Sequence, residues 1–169
     1  MPTLSLDRPH HVTAGTVGEP GNRTFLLQVE DEDHRVTVVA EKGQVAGIAD
    51  LVSRLLVRLD LAPATDWDAT AMALRQPIDP AWRVGEVELA LDVDVGLIAV
   101  RVGGLDVDGD APFDAIEFAI DIDQARRLAG HVDELVEQGR PRCRLCGRPM
   151  AEGGGHVCPS TNGHGRLTV

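Results

Sequence analysis

Tyrosine is absent from this 169-residue chain, and its aromatic set is three Phe and two Trp. That scarcity removes the stacking platforms with which proteins hold single-stranded nucleic acid. It also means that a core must be built from Val, Leu, Ile and Ala, and the 43% hydrophobic content supplies one. No apolar run approaches the ~20 residues of a membrane-spanning helix. The start, Met1–Arg8, lacks a basic segment followed by an apolar one, so a soluble cytoplasmic protein is expected. Catalytic signatures are missing too. There is no Gly-x-Ser-x-Gly elbow. The glycine-rich stretch Gly15–Arg23 does not end in Gly-Lys-Ser/Thr and leads into a strand, so it is not a phosphate loop. Its Pro20-Gly21-Asn22 reads as a hairpin turn.

Cysteine is scarce, and its placement is informative. All three cysteines lie in the last thirty residues: Cys143-x2-Cys146, then His156-x-Cys158, then His164. An odd count without an export leader argues against a disulfide framework. A Cys-x2-Cys turn followed by a His/Cys pair is a ligand set for one tetrahedral zinc, because zinc prefers thiolate and imidazole. Cys143, Cys146 and Cys158 supply three ligands, and either His156 or His164 can supply the fourth. Four protein ligands leave no position for a reactive water, so the expected zinc is structural.

Charge is divided between two regions. The net charge is -11. Residues 140–169 carry five Arg (140, 142, 144, 148 and 166) and Glu152, a balance of +4, which leaves -15 on the rest. Between Gly85 and Asp123 there are eleven acids and one base, Arg101. Such a body repels phosphate backbones, which argues against nucleic acid as its ligand.

Hydrophobic periodicity predicts an α+β protein. Strand patterns cover Val12–Val17, Thr24–Glu30 and Val36–Glu41, and a helix follows over Val45–Leu61. After a Pro-containing connector, strand patterns recur at Arg83–Val93, Leu97–Val102 and Ala115–Ile122. A second helix follows over Gln124–Gln138, with Asp123 as the expected N-cap. The organisation expected is a first βββα unit (1–61), a connector (62–82), a second βββα unit (83–139) and a zinc-binding tail (140–169). Gln44, Ile48 and Ala49 match Gln124, Leu128 and Ala129 at an offset of 80, which suggests an internal repeat. A three-stranded sheet with one helix cannot bury its apolar face alone, so the two mainly antiparallel units should pack together. The stripes Leu51/Leu55/Leu59 and Leu128/Val132/Leu135 should face sheet.

Two further patterns are set aside. Asp106-Val-Asp108-Gly-Asp110 with Glu117 imitates a calcium loop, but Ala111 stands where that turn needs Gly, and strands flank it. His10 and His11 are adjacent and would point to opposite faces of a strand, so they chelate poorly together.

The stretches Ala14–Gly21, Arg23–Gln28 and Glu41–Val45, with the ending Cys143-x2-Cys146-Gly … Gly155-His156-x-Cys158-Pro159 … Asn162-Gly163, resemble one uncharacterised actinobacterial family. The resemblance spans nearly the whole chain. It implies a cytoplasmic protein, encoded beside a phosphoglycerate-mutase-like phosphatase and a phosphatidylinositol-kinase-like protein, and it implies no reaction. In that family's pattern an aromatic residue follows Asn-Gly, where this chain has His164; the difference favours His156 as the fourth ligand.

Two functional expectations result. One is a non-catalytic, zinc-tailed interaction protein that docks a protein partner, either one of those neighbours or a second copy. The other is a hydrolase or transferase acting on a phosphorylated small molecule, with Arg23, Glu41 and Lys42 in a site between the two units.

Overall fold

A computed structural model describes residues 2–19, 22–105 and 111–137, together with Cys143, Leu145, Cys146 and Cys158. The elements are β1 (Thr3–Leu6), β2 (His11–Val17), β3 (Thr24–Glu30), β4 (Arg35–Ala40), α1 (Lys42–Val57), β5 (Pro80–Asp92), β6 (Leu97–Leu105), β7 (Ala115–Asp121) and α2 (Ile122–Glu137). The protein is α+β, as expected. The short strand β1 carries only two apolar residues in alternation, too little to announce itself in sequence.

All seven strands form one sheet in the order β1-β7-β6-β5-β4-β3-β2. Strands β2–β3–β4 make one antiparallel meander and β5–β6–β7 a second. They join edge to edge through a parallel pairing of β4 with β5. Strand β1 adds in parallel beside β7. The two strand-strand-strand-helix units thus pack together by sharing a sheet.

The sheet is rolled. Its edge strands β1 and β2 are separated in sequence by residues 7–10 alone. Seven strands laid flat would place those edges about 29 Å apart at the usual interstrand spacing. The five-residue step from Leu6 to His11 spans at most about 18 Å. The edges must therefore curl toward each other. Cross-links agree: the Asp7 N–H donates to Asp31 Oδ2 at 3.1 Å, beyond the end of β3. The His10 N–H donates to the Glu30 carbonyl at 3.0 Å.

The helix-bearing face is apolar throughout. Leu27, Val29, Val38, Val100, Ile116 and Phe118 come from it and are buried in one cluster with residues of both helices. From α2 that cluster takes Ala125, Leu128, Ala129, Val132 and Leu135, which includes the expected stripe. From α1 it takes Val45, Ile48, Ala49, Val52 and Leu56. The expected α1 stripe is displaced: Leu51 is 41% exposed, and Leu55 and Leu59 are half-buried. The helix is leucine-rich on both sides, so residue type alone could not select the face. It also starts three residues earlier than periodicity implies, because its first turn is closed by Gln44.

The connector packs first on α2 and then crosses the outer face of the first unit. The Ala64 N–H donates to the Arg126 carbonyl at 2.9 Å. Trp67 meets His131 edge-on at 5.9 Å. A Cβ on Gly130 would collide with the Ala64 carbonyl, so only glycine admits this approach. Further on, Leu74 lies over Gly15 where a Cβ would otherwise stand. The Thr13 hydroxyl donates to the Met72 carbonyl at 2.5 Å. Gln28, fully buried, donates to the Arg75 carbonyl at 3.0 Å and accepts the Arg75 N–H at 2.7 Å. A glutamine matches the two backbone groups of a passing chain, which leaves no orphaned polar atom on either side.

Candidate metal centre and outer groove

The expected ligands fall in two groups. Cys143, Cys146 and Cys158 are brought together, with all three sulfurs within 4.8 Å of one another. Cys143 Sγ and Cys158 Sγ stand 3.8 Å apart, nearly twice a disulfide bond length. Two thiolates bound to one tetrahedral zinc at about 2.3 Å each would stand about 3.8 Å apart, so the spacing fits a shared metal. The Leu145 N–H points at Cys143 Sγ at 3.4 Å. Backbone N–H groups of Cys146 and Leu145 hold the Cys143 thiol below its ordinary pKa, since they stabilise the thiolate that a metal needs. These three cysteines can hold a metal ion. His156 and His164 lie outside the described residues, as do Arg140, Arg142, Arg144 and Arg148. The acidic Asp106–Asp110 stretch lies outside them too.

Arg23, Glu41 and Lys42 occupy one end of the first meander. Arg23 leads into β3, and Glu41 and Lys42 form the junction of β4 and α1. Glu41 is the N-cap residue of α1, and its N–H donates to Gln44 Oε1 at 2.8 Å. Among the described residues no ion pair joins Arg23 to Glu41. Between the units, β4 and β5 are hydrogen-bonded neighbours, so the sheet has no cleft there.

A large concavity lies elsewhere among the described residues. A groove of about 1080 Å³ runs over the outer face of β5, β6 and β7, opposite the helices. Its floor is a cross-strand row of alanines, Ala90, Ala99 and Ala119, in direct register. A parallel row, Glu88, Arg101 and Glu117, lines one side. Arg101 bonds Glu86 at 3.0 Å and Glu117 at 3.3 Å, and these carboxylates raise its pKa. The link Asp7–His10 forms a wall, with Arg8 in the left-handed region at φ 49°. Gln124 anchors that wall by donating from Nε2 to the Pro9 carbonyl at 2.6 Å. Sequence reading missed this groove, because a β1–β2 link crossing a rolled sheet is not a local feature.

A polar layer under the connector was also missed. His11, Thr13, Gln28 and Thr37 are buried on the outer face of β2–β4. As strand alternation requires, His11 is buried while the His10 side chain is 48% exposed. Burial lowers the His11 pKa, and the Arg75 charge lowers it further. Glu30 accepts from Arg35 at 2.5 Å and from Arg75 at 3.1 Å. The Arg35 bond is the main reason its pKa falls to about 2. Alternating polar residues on β2 and β3 were the available signal, but alternation alone reads as solvent exposure.

Fold and site together define an α+β protein with a rolled mixed sheet, two helices on one face and a three-cysteine cluster beyond the second helix. Residues 4–158 match the family described as protein of unknown function (DUF3090), and the chain belongs to that family. No curated protein and no solved structure matches it.

Proposed function

We propose that this chain is a zinc-binding accessory protein that acts without catalysis by docking a protein partner. The observation that carries the reading is the geometry of the three cysteines: their sulfurs lie within 4.8 Å of one another, one pair at a tetrahedral edge length. Cys143, Cys146 and Cys158 with His156 would complete a closed site, which supplies structure and no open coordination position. Thiolates at this density select a soft or borderline metal over calcium or magnesium. Five arginines in residues 140–169 surround the ligands in sequence and suit an acidic partner. The resemblance to an actinobacterial family names two cytoplasmic candidates, the phosphatase-like and the kinase-like neighbour. No helix among the described residues is long and apolar enough to cross a membrane.

Metal analysis of the purified chain is the first test. One zinc per chain is expected, lost in Cys146→Ser and His156→Ala and kept in His164→Ala. Zinc kept in His156→Ala but lost in His164→Ala would reassign the fourth ligand. Binding to each neighbour at low and high salt, with Arg142→Glu/Arg148→Glu as the probe, tests the docking. Absence of any complex, together with turnover of a phosphorylated small molecule dependent on Arg23 or Lys42, would replace the accessory reading with an enzymatic one.

A further inference from the structure

Residues 72–76 of the connector cross the outer face of β2–β4 without forming a strand or helix. Side chains of the sheet hold this strap. Thr13 bonds the Met72 carbonyl, Gln28 bonds both backbone groups of Arg75, and Arg35 Nη1 donates to the Gln76 carbonyl at 2.6 Å. Arg75 Nη1 in turn donates to Glu30 Oε1 at 3.1 Å. The sheet beneath is tied by continuous ladders between β2, β3 and β4. A strap held by side chains opens at lower cost than the paired strands it covers.

His11 lies under the strap and is 4% exposed. Its ring bonds the Ala73 backbone, while its Nε2 is buried with no partner among the described residues. A neutral imidazole tolerates this, because the unpartnered nitrogen can be the one without a proton. Protonation makes both nitrogens donors. A buried cationic N–H without an acceptor is costly. The groups that face the ring do not relieve that charge. Arg75 of the strap and His10 of β2 add like charge. The nearby acid, Glu30 of β3, is already engaged by Arg35 of β4 and by Arg75.

We propose that residues 72–76 are an acid-released strap, with His11 as its trigger. Lifting the strap returns the ring to water, where it binds a proton near the ordinary histidine pKa of about 6.5. Under the closed strap it binds that proton only at lower pH. Closure is therefore favoured above about pH 6.5, and opening grows as pH falls below it. Release uncovers Thr13, Leu26, Gln28 and Thr37, which are 0%, 1%, 0% and 3% exposed beneath the closed strap. It also separates Arg75 from His10, now 3.2 Å apart, and His10 lines the groove wall. The proposal does not depend on the metal reading.

The test is amide hydrogen exchange on the full chain, corrected for its intrinsic pH dependence. The reporter is the Arg75 N–H, which donates to Gln28 Oε1 at 2.7 Å. Its opening equilibrium should rise about tenfold between about pH 7.5 and about pH 5.5, the change that one such histidine supplies. Amides of β3 and α2 should keep their protection. His11→Asn, which cannot charge, should flatten the rise, and His10→Gln and His34→Gln should retain it. No rise at Arg75, a rise shared equally by β3 and α2, or a rise that survives in His11→Asn would each overturn the proposal. The parent chain gives a readout that needs no variant: the His11 ring signal should still be that of the neutral form at about pH 5.5. A ring already charged there under a closed strap would overturn the trigger. Repeating the exchange after a chelator has removed metal should give the same rise. A rise that disappears with the metal would assign it to the cysteine cluster and overturn the strap.

Discussion

Gln44 and Gln124 hold the same position in the two helices and make the same pair of bonds. Each side-chain carbonyl accepts the N–H of the residue three before it, Glu41 at 2.8 Å and Asp121 at 3.0 Å. Each amide nitrogen then reaches outward, to the Val84 carbonyl at 2.9 Å or the Pro9 carbonyl at 2.6 Å. Asp121 returns the bond in the second helix, accepting the Gln124 N–H at 2.7 Å, so Asp121 rather than Asp123 caps α2. The device satisfies orphan donors of the first turn and ties each helix start to a neighbouring chain segment.

Replacing either glutamine should therefore cost more than an ordinary cap. Gln124→Ala should lose about 1–3 kcal/mol, from the cap bond and the orphaned Pro9 carbonyl together. Gln124→Glu should keep the cap and lose the outward donor. Urea unfolding of both variants separates the two contributions.

The displaced stripe of α1 gives a sharp pair of substitutions. Leu56 is fully buried and Leu51 is 41% exposed. Leu56→Ala should destabilise by about 2–5 kcal/mol, as buried leucine truncations do. Leu51→Ala should cost less, about 1 kcal/mol, because 41% of its surface stays in water in the folded chain. Comparable losses at the two positions would contradict the observed helix rotation.

Docking of the connector depends on Gly130. Gly130→Val should force Ala64 and Trp67 away from α2 and cost about 1–3 kcal/mol. Protease sensitivity between residues 62 and 80 should rise with it. Gly43→Ala, where a Cβ meets nothing within 4 Å, is the control and should be neutral or stabilising.

Acid should weaken the polar layer in two stages. The folded-state pKa of His11 is lowered, so the unfolded chain binds its proton first. That contribution is present above the unfolded histidine pKa of about 6.5 and is lost as pH falls below it. Glu30 has its pKa lowered from 4.5 to about 2, so its contribution is present above 4.5 and fades as pH falls toward 2. His11→Leu should flatten the upper part of the stability profile relative to the parent chain, and Glu30→Gln the lower part. Comparing each variant with its parent cancels any metal loss common to both.

A chain ending at Gly139 should unfold cooperatively with a modest loss of stability. Among the described residues, the core cluster and the residues packed on it end at Val136. A molten or insoluble truncated chain would show that the tail belongs to the core.

Six of the seven strands were legible because apolar and polar residues alternate in them, as Ile116, Phe118 and Ile120 do against Glu117 and Asp121. Both helices were legible for the same local reason, though the buried side of α1 was not. The cysteine spacing likewise marked the cluster, since a Cys-x2-Cys turn carries its own geometry.

What the sequence by itself determined, then, was every element but β1, their order and the three sulfurs, all properties of residues near one another in the chain. Only the tertiary structure decided that the two units share one sheet edge to edge, because strand pairing across β4 and β5 joins segments forty residues apart. It also decided that the sheet rolls, that Gln28 and His11 lie under a connector, and that alanines floor an open groove. Each of these depends on which distant backbone passes overhead, and a pattern of alternation reads the same whether a face meets water or another stretch of the same chain.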